Sequence, residues 1–94
     1  MSLPVSFPRN LPILEVPVLN DDFLPLEAFL DEDETELFEV AVISPAAYLE
    51  DPEDAVWVAN PGPKTPTVRG KYLVFVHPTG SPKPAECVGW LHVY

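Results

Sequence analysis

The sequence contains very little cysteine, glycine or positive charge. Cys87 is the single cysteine of the 94 residues, which excludes an internal disulfide and any zinc site built on a cysteine pair. The four glycines are too few and too scattered for a phosphate-binding loop. No apolar run approaches the length of a membrane span, and no secretory signal pattern is present. We therefore expect a cytoplasmic protein with no membrane partner.

Proline and aromatic side chains are abundant by contrast. Each of the thirteen prolines locks φ and removes a backbone donor, which disfavours long helices and long central strands. Hydrophobic residues make up 47% of the chain and include ten aromatic side chains, more than disordered chains carry. The length predicts one domain that spans residues 1–94.

Negative charge is concentrated in one stretch. The formal net charge is −10, yet residues 21–54 carry thirteen acids and no base, whereas residues 55–94 carry four bases and one acid. The acids of the stretch are Asp21, Asp22, Glu27, Asp31, Glu32, Asp33, Glu34, Glu36, Glu39, Glu50, Asp51, Glu53 and Asp54. Direct binding to nucleic acid or to an anionic membrane is disfavoured, because both need a dominant basic patch.

The first third of the chain predicts an extended segment and a short helix. Residues 1–20 are rich in proline, and the strand-like part from Leu11 to Leu19 is limited to a sheet edge by its two prolines. Residues 21–30 are expected to be helical, with Asp21 or Asp22 as the cap and Pro25 in or near the first turn.

A second helix is predicted after the first central strand. Ser44 is followed by Pro45, which is the pattern of a cap and a first-turn proline, so residues 46–50 should form one or two helical turns. Asp51 and Pro52 repeat the pattern and predict another helix start or a turn.

Four further segments have strand character: residues 35–43, 55–59, 67–77 and 85–94. The last two, joined by a loop of turn-forming residues, predict a C-terminal β-hairpin over residues 67–94. In the first segment Phe38, Val40 and Val42 should face away from Glu39, Ala41 and Ile43. In the last segment Val88, Trp90, His92 and Tyr94 should face away from Cys87, Gly89, Leu91 and Val93. Gly70 and Gly89 predict bends or bulges.

These elements predict an α+β fold that is mainly β. We expect a curled, mostly antiparallel sheet of four or five strands, which could close into a small open barrel, with two short helices. A two-sheet sandwich is the alternative, although the chain is short for one. Within the hairpin, the aromatic residues Tyr72, Phe75, Trp90 and Tyr94 are expected to form core rather than a ligand platform.

The acidic stretch suggests a non-catalytic domain that binds a basic protein, such as an accessory subunit, an immunity or antitoxin-like protein, or a phage-type inhibitor. The residues expected to contact the partner are Asp31, Glu32, Asp33, Glu34, Glu50, Asp51, Glu53 and Asp54. An alternative is a DNA mimic, whose spaced carboxylates occupy a nucleic-acid-binding cleft. The alternative to a binding role is that these acids form only a solvated surface that keeps the protein soluble. In that case Lys71 or Arg69 could pair across the sheet with Glu36 or Glu39. A homodimer is compatible with exposed edge strands.

A small enzyme or metal-binding domain is the rival class. The run from Asp31 to Glu36 offers carboxylates for calcium but lacks the glycine of an EF-hand loop. His77, Cys87 and His92 could ligate zinc, although their spacing carries little information. No nucleophile motif surrounds Cys87. The sequence therefore predicts no catalytic residue, no metal site and no cofactor.

Overall fold

The fold is built on one open sheet of five strands. The computed structural model describes residues 11–18 and 22–94. The strands are β1 (Ile13–Val16), β2 (Phe38–Ile43), β3 (Val58–Ala59), β4 (Gly70–Pro78) and β5 (Glu86–Val93). Their spatial order is β1-β5-β4-β2-β3, and only the β1–β5 pair is parallel.

The predicted hairpin and the predicted edge strand are both confirmed. β4 and β5 pair antiparallel at the centre of the sheet. β1 lies at one edge, bonded to β5 through Trp90 N–H and Pro12 C=O at 2.9 Å. Prolines flank β1 on both sides and limit its length. The predicted extended conformation of residues 1–10, 19 and 20 lies outside the described residues.

Each face of the sheet carries its own hydrophobic core. Core A consists of Leu24, Leu26, Leu30, Val40, Val74, Val76, Leu91 and Val93. Core B consists of Ala41, Ile43, Tyr48, Ala55, Leu73, Phe75 and Cys87. We call the corresponding sides of the sheet face A and face B. The predicted alternation in β2 is confirmed, because Val40 belongs to core A and Ala41 and Ile43 belong to core B.

The prediction of a curled sheet or small barrel is wrong. A barrel needs its two edge strands to pair and one face to become the interior. Here β1 and the two-residue β3 lie at opposite edges, and both faces are packed with other parts of the chain. Neither face can therefore be the inside of a closed sheet.

The second predicted helix is confirmed. It is α1 (Pro45–Glu50), and the Ser44 hydroxyl accepts a hydrogen bond from Ala47 N–H at 3.2 Å. Asp51 then caps a short 3-10 helix, Pro52–Asp54, by accepting from Glu53 N–H at 3.0 Å. Both helices start with the predicted pair of cap and proline. None of the helices within the described ranges is long and apolar enough to cross a membrane.

The first predicted helix is much shorter than expected. Of the predicted range 21–30, the structure describes residues 22–30, and within these only Leu26–Ala28 are helical, as a 3-10 helix. The preceding residues are held extended, because Leu24 N–H donates to Pro63 C=O and Thr65 N–H donates to Asp22 C=O. This tertiary pairing outcompetes a local helix. The predicted capping role of Asp21 lies outside the described residues.

Strand boundaries and one strand's facing also differ from the prediction. The first central strand starts at Phe38 because Glu34–Glu36 form a 3-10 helix. In β5 the register shifts, so that Val74 pairs with Gly89 but Phe75 pairs with Cys87. Val88 is the extra residue of this bulge, and it packs on core A with Leu91 and not beside Trp90. Gly89 therefore marks a bulge as predicted.

Candidate interaction surface

The acidic stretch is divided by the fold into two groups. Group 1, residues 31–36, lies between Leu30, which packs in core A, and the start of β2. Group 2, residues 50–54, lies between Tyr48 and Ala55, which both pack in core B on the other face of the sheet. The two groups are thus anchored on opposite faces of the sheet.

Most of the predicted partner-binding side chains are exposed. Seven of the eight are exposed and one, Glu34, is half-buried. The exposed residues are Asp31, Glu32, Asp33, Glu50, Asp51, Glu53 and Asp54. Among the described residues, Glu39 is the acid of this stretch whose carboxylate lies within 4 Å of a basic side chain, the imidazole of His77. The fold therefore leaves these carboxylates facing solvent.

Two of the eight acids have a local structural role as well. The Glu34 carboxylate accepts a hydrogen bond from Asp31 N–H at 3.0 Å and closes the turn before β2. Asp51 closes the turn after α1 in the same way. The Asp51 cap contributes about 0.5–2 kcal/mol and the Glu34 hydrogen bond about 0.5–1.5 kcal/mol, so these two residues hold their neighbours in place whatever the others do.

The cross-strand pairing suggested by the sequence is wrong. The register places Glu39 opposite His77 and Lys71 opposite His92, so neither Lys71 nor Arg69 faces Glu39. Sequence reasoning missed the Glu39–His77 pair because α1, the 3-10 helix Pro52–Asp54, β3 and their loops separate β2 from β4 along the chain, and no local pattern sets the register of these two strands. The alternation of strand residues could have placed both on face B, but not opposite each other.

Glu39 and His77 form a largely shielded side-chain contact across β2 and β4. His77 Nδ1 lies 2.9 Å from Glu39 Oε1, with side-chain exposures of 7% and 23%. The ring of Trp57 lies 5.8 Å from the imidazole. Because both polar groups are largely shielded from water, each depends on the other for its hydrogen bond.

Changing Glu39→Leu or His77→Leu, which leaves the remaining partner without its hydrogen bond, should each lower the free energy of unfolding by about 1–3 kcal/mol. The double variant should lose less than the sum, because both changes remove the same contact. Urea denaturation of the four proteins measures this. A matched control is the pair Glu15–His92, which joins β1 and β5 at 3.8 Å and is more exposed. No measurable coupling is expected there, and equal coupling in both pairs would contradict the burial argument.

The residues considered for zinc do not come together. His92 pairs with Lys71 at one end of β4, and His77 lies about 20 Å further along that strand. Cys87 donates its S–H to Gly89 C=O at 3.8 Å. Within residues 11–18 and 22–94, no three side chains of His, Cys, Asp or Glu are grouped to hold a metal ion, including the run considered for calcium.

The Cys87 thiol is placed for packing. It is buried in core B, and burial raises the pKa of its thiol. At neutral pH the protonated form dominates, and it is a much weaker nucleophile than the thiolate.

A separate depression of about 150 Å³ lies on face B, lined by Ile13, Lys71, Trp90, Leu91 and His92. The aromatic residues of the hairpin that were predicted to form core differ in their burial. Phe75 is fully buried in core B, whereas Trp90 lines the depression and Tyr94 is exposed. Sequence reasoning treated all of them as core, because the side of the sheet that α1 covers cannot be read from strand alternation.

Comparison with known proteins adds no family to this description: no family model, no curated protein and no solved structure matches the chain.

Proposed function

We propose that this domain is a non-catalytic interaction module that binds a basic protein through acidic groups 1 and 2. The observation that carries the proposal is the exposure of eight carboxylates on the short helices and turns of groups 1 and 2 next to the sheet. A disordered acidic tail would have to be ordered on binding, whereas carboxylates on a folded scaffold are already placed.

The charge distribution supports a basic partner. Ten of the twelve described acids between residues 22 and 54 are exposed. Concentrating so many like charges disfavours the compact state through self-repulsion. A basic partner relieves this repulsion and is drawn in by the same field, which raises the association rate. A cytoplasmic location remains part of this proposal.

The test neutralises each group while sparing its capping residue. One variant combines Asp31→Asn, Glu32→Gln and Asp33→Asn and keeps Glu34. A second combines Glu50→Gln, Glu53→Gln and Asp54→Asn and keeps Asp51. Thermal melting establishes that both variants remain folded. Both should lose the proteins that the unmodified domain captures from a cell lysate at low ionic strength.

A control with the same change in net charge separates a binding surface from general charge. It combines Glu15→Gln, Glu27→Gln and Glu86→Gln, which lie outside both groups and are exposed. The control should still bind the captured proteins. The two group variants should bind them at least roughly tenfold more weakly. Raising salt from about 0.01 to 0.15 M, which shortens the Debye length from about 30 to 8 Å, should release them. Equal capture by all four proteins would reject the proposal.

The same assay addresses the DNA-mimic alternative. If the captured protein also binds duplex DNA, a mimic must compete with DNA for it. Simultaneous binding of DNA and of this domain would exclude mimicry without affecting the proposed basic partner.

A further inference from the structure

Face B is covered unevenly. Over β2 and β4 it is packed by α1, where the Tyr48 ring stacks on Phe75 with centroids 5.2 Å apart, and by Ala55. Over β1 and the part of β5 that follows Gly89, the side chains on this face remain partly or largely exposed. Ile13 is 60% exposed and Tyr94 is 53% exposed.

The β1–β5 half of face B carries a distinct set of side chains, which we call the β5 surface: Ile13, Lys71, Trp90, His92 and Tyr94. Register pairs Ile13 with Trp90 and Lys71 with His92 across adjacent strands. Four of the five line the depression, and the ring of Tyr94 lies 6.1 Å from that of His92. Aromatic residues are enriched at the centres of protein interfaces.

The spacing of the sheet shows what shape fits this surface. Neighbouring strands lie about 4.8 Å apart, so β4, β5 and β1 together span about 10 Å, the width of one helix. α1 lies over β2 and β4. Because packed helices lie about 8–10 Å apart, a second helix beside α1 would lie over β5 and β1.

The charged side chains on and beside the β5 surface indicate which residues the helix should carry. Lys71 is exposed at the rim of the depression. The acid on this surface, Glu15, is directed to His92 at 3.8 Å. A helix with an apolar side for Ile13 and Trp90 and a carboxylate along one flank would complement both features. This surface therefore favours an acidic partner, whereas acidic groups 1 and 2 favour a basic one.

We propose that the β5 surface docks an amphipathic helix from another protein, with the apolar side of the helix on Ile13, Trp90 and Tyr94 and a carboxylate facing Lys71. A second copy of the domain is a poor donor of this helix. Among the residues that the structure describes, α1 is the one α-helix, and it is already packed on its own sheet. This surface is separate from acidic groups 1 and 2 and does not depend on them.

The probe is a displayed library of single helices in which one face is randomised. Helices selected for binding should carry apolar residues on that face and an acid at its flank, despite the net charge of −10. Lys71→Glu should weaken the selected helices by roughly tenfold. The matched control Lys83→Glu reverses another exposed lysine, in the β4–β5 loop, and should leave binding unchanged.

A second variant tests the apolar contact without touching a buried side chain. Ile13→Asp should also weaken binding by roughly tenfold. The control Val56→Asp changes another exposed β-branched residue, which lies outside the β5 surface, and should not weaken binding. Melting curves establish that each variant remains folded. The two variants in which acidic group 1 or acidic group 2 is neutralised should bind the selected helices as the unmodified domain does. This proposal and the proposed function can therefore fail separately.

Each other result overturns the proposal. The absence of selected helices, or helices insensitive to both Lys71→Glu and Ile13→Asp, would show that this surface does not take a helix. Selected helices with basic flanks that are lost on neutralising acidic group 1 or 2 would place binding there. Binding seen only after removal of residues 1–10 would assign the surface to the chain's own N-terminal residues. Self-association abolished by Ile13→Asp would assign it to a second copy.

Discussion

Replacing Phe75 by alanine should lower the free energy of unfolding by about 3–5 kcal/mol, the largest loss expected for any single change discussed for this protein. Phe75 is fully buried at the centre of β4. Its ring stacks on Tyr48 at 5.2 Å with an interplanar angle of 20°. Removing it leaves a cavity and separates α1 from the sheet. Chemical denaturation followed by circular dichroism measures the loss.

A control distinguishes this core contact from a general loss of aromatic surface. Phe23 is 51% exposed, and its ring lies 5.4 Å from Lys64 Nζ. Phe23→Ala should therefore lower the free energy of unfolding by only about 0.5–1 kcal/mol. Similar losses for Phe23→Ala and Phe75→Ala would contradict the two-core arrangement. The difference matters because a domain of this size is stable by only about 5–15 kcal/mol.

Adding a single methyl group at Gly89 should lower the free energy of unfolding by about 1–3 kcal/mol. A Cβ built at Gly89 lies 2.5 Å from Phe29 Cε1 and 3.0 Å from Pro12 C=O. The first contact forces the Phe29 ring out of its place against core A. The second pushes on the backbone that bonds β1 to β5 through Trp90 N–H. Gly89→Ala should therefore loosen the β1 edge as well as the core.

The double variant separates these two causes. In a Phe29→Ala background the ring is gone, so Gly89→Ala should lower stability by less than it does alone. The loss of stability that Gly89→Ala still causes in this background measures the contact with Pro12 C=O. Hydrogen exchange at the Trp90 amide, which bonds to Pro12 C=O at 2.9 Å, should accelerate in Gly89→Ala. An equal loss in both backgrounds would show that Phe29 does not fill the space beside Gly89.

Local patterns predicted the short-range features of this chain well. Ser44–Pro45 and Asp51–Pro52 both start helices where expected, because the cap and the proline act within one turn. The β4–β5 hairpin was also predictable, since its strands are joined by a short loop of turn-forming residues. The sidedness of β2 followed from strict alternation of its side chains.

The candidate surfaces were only partly predictable. The sequence identified Asp31 to Glu34 and Glu50 to Asp54 as candidates because charge is visible in the chain. It did not separate Glu34 and Asp51, which close turns, from their neighbours. It also missed the β5 surface, because the position of α1 over one half of face B is a tertiary fact.

The sequence by itself determined that this chain is mainly β, that prolines confine β1 to an edge, and that negative charge is concentrated between residues 21 and 54. These properties depend on composition, on backbone restrictions and on contacts within a few residues. Only the tertiary structure decided that the sheet is open, that residues 22–24 pair with the chain near Pro63, and that Glu39 meets His77. Those outcomes depend on which distant segments bury each other's apolar surface, a competition that no local pattern encodes.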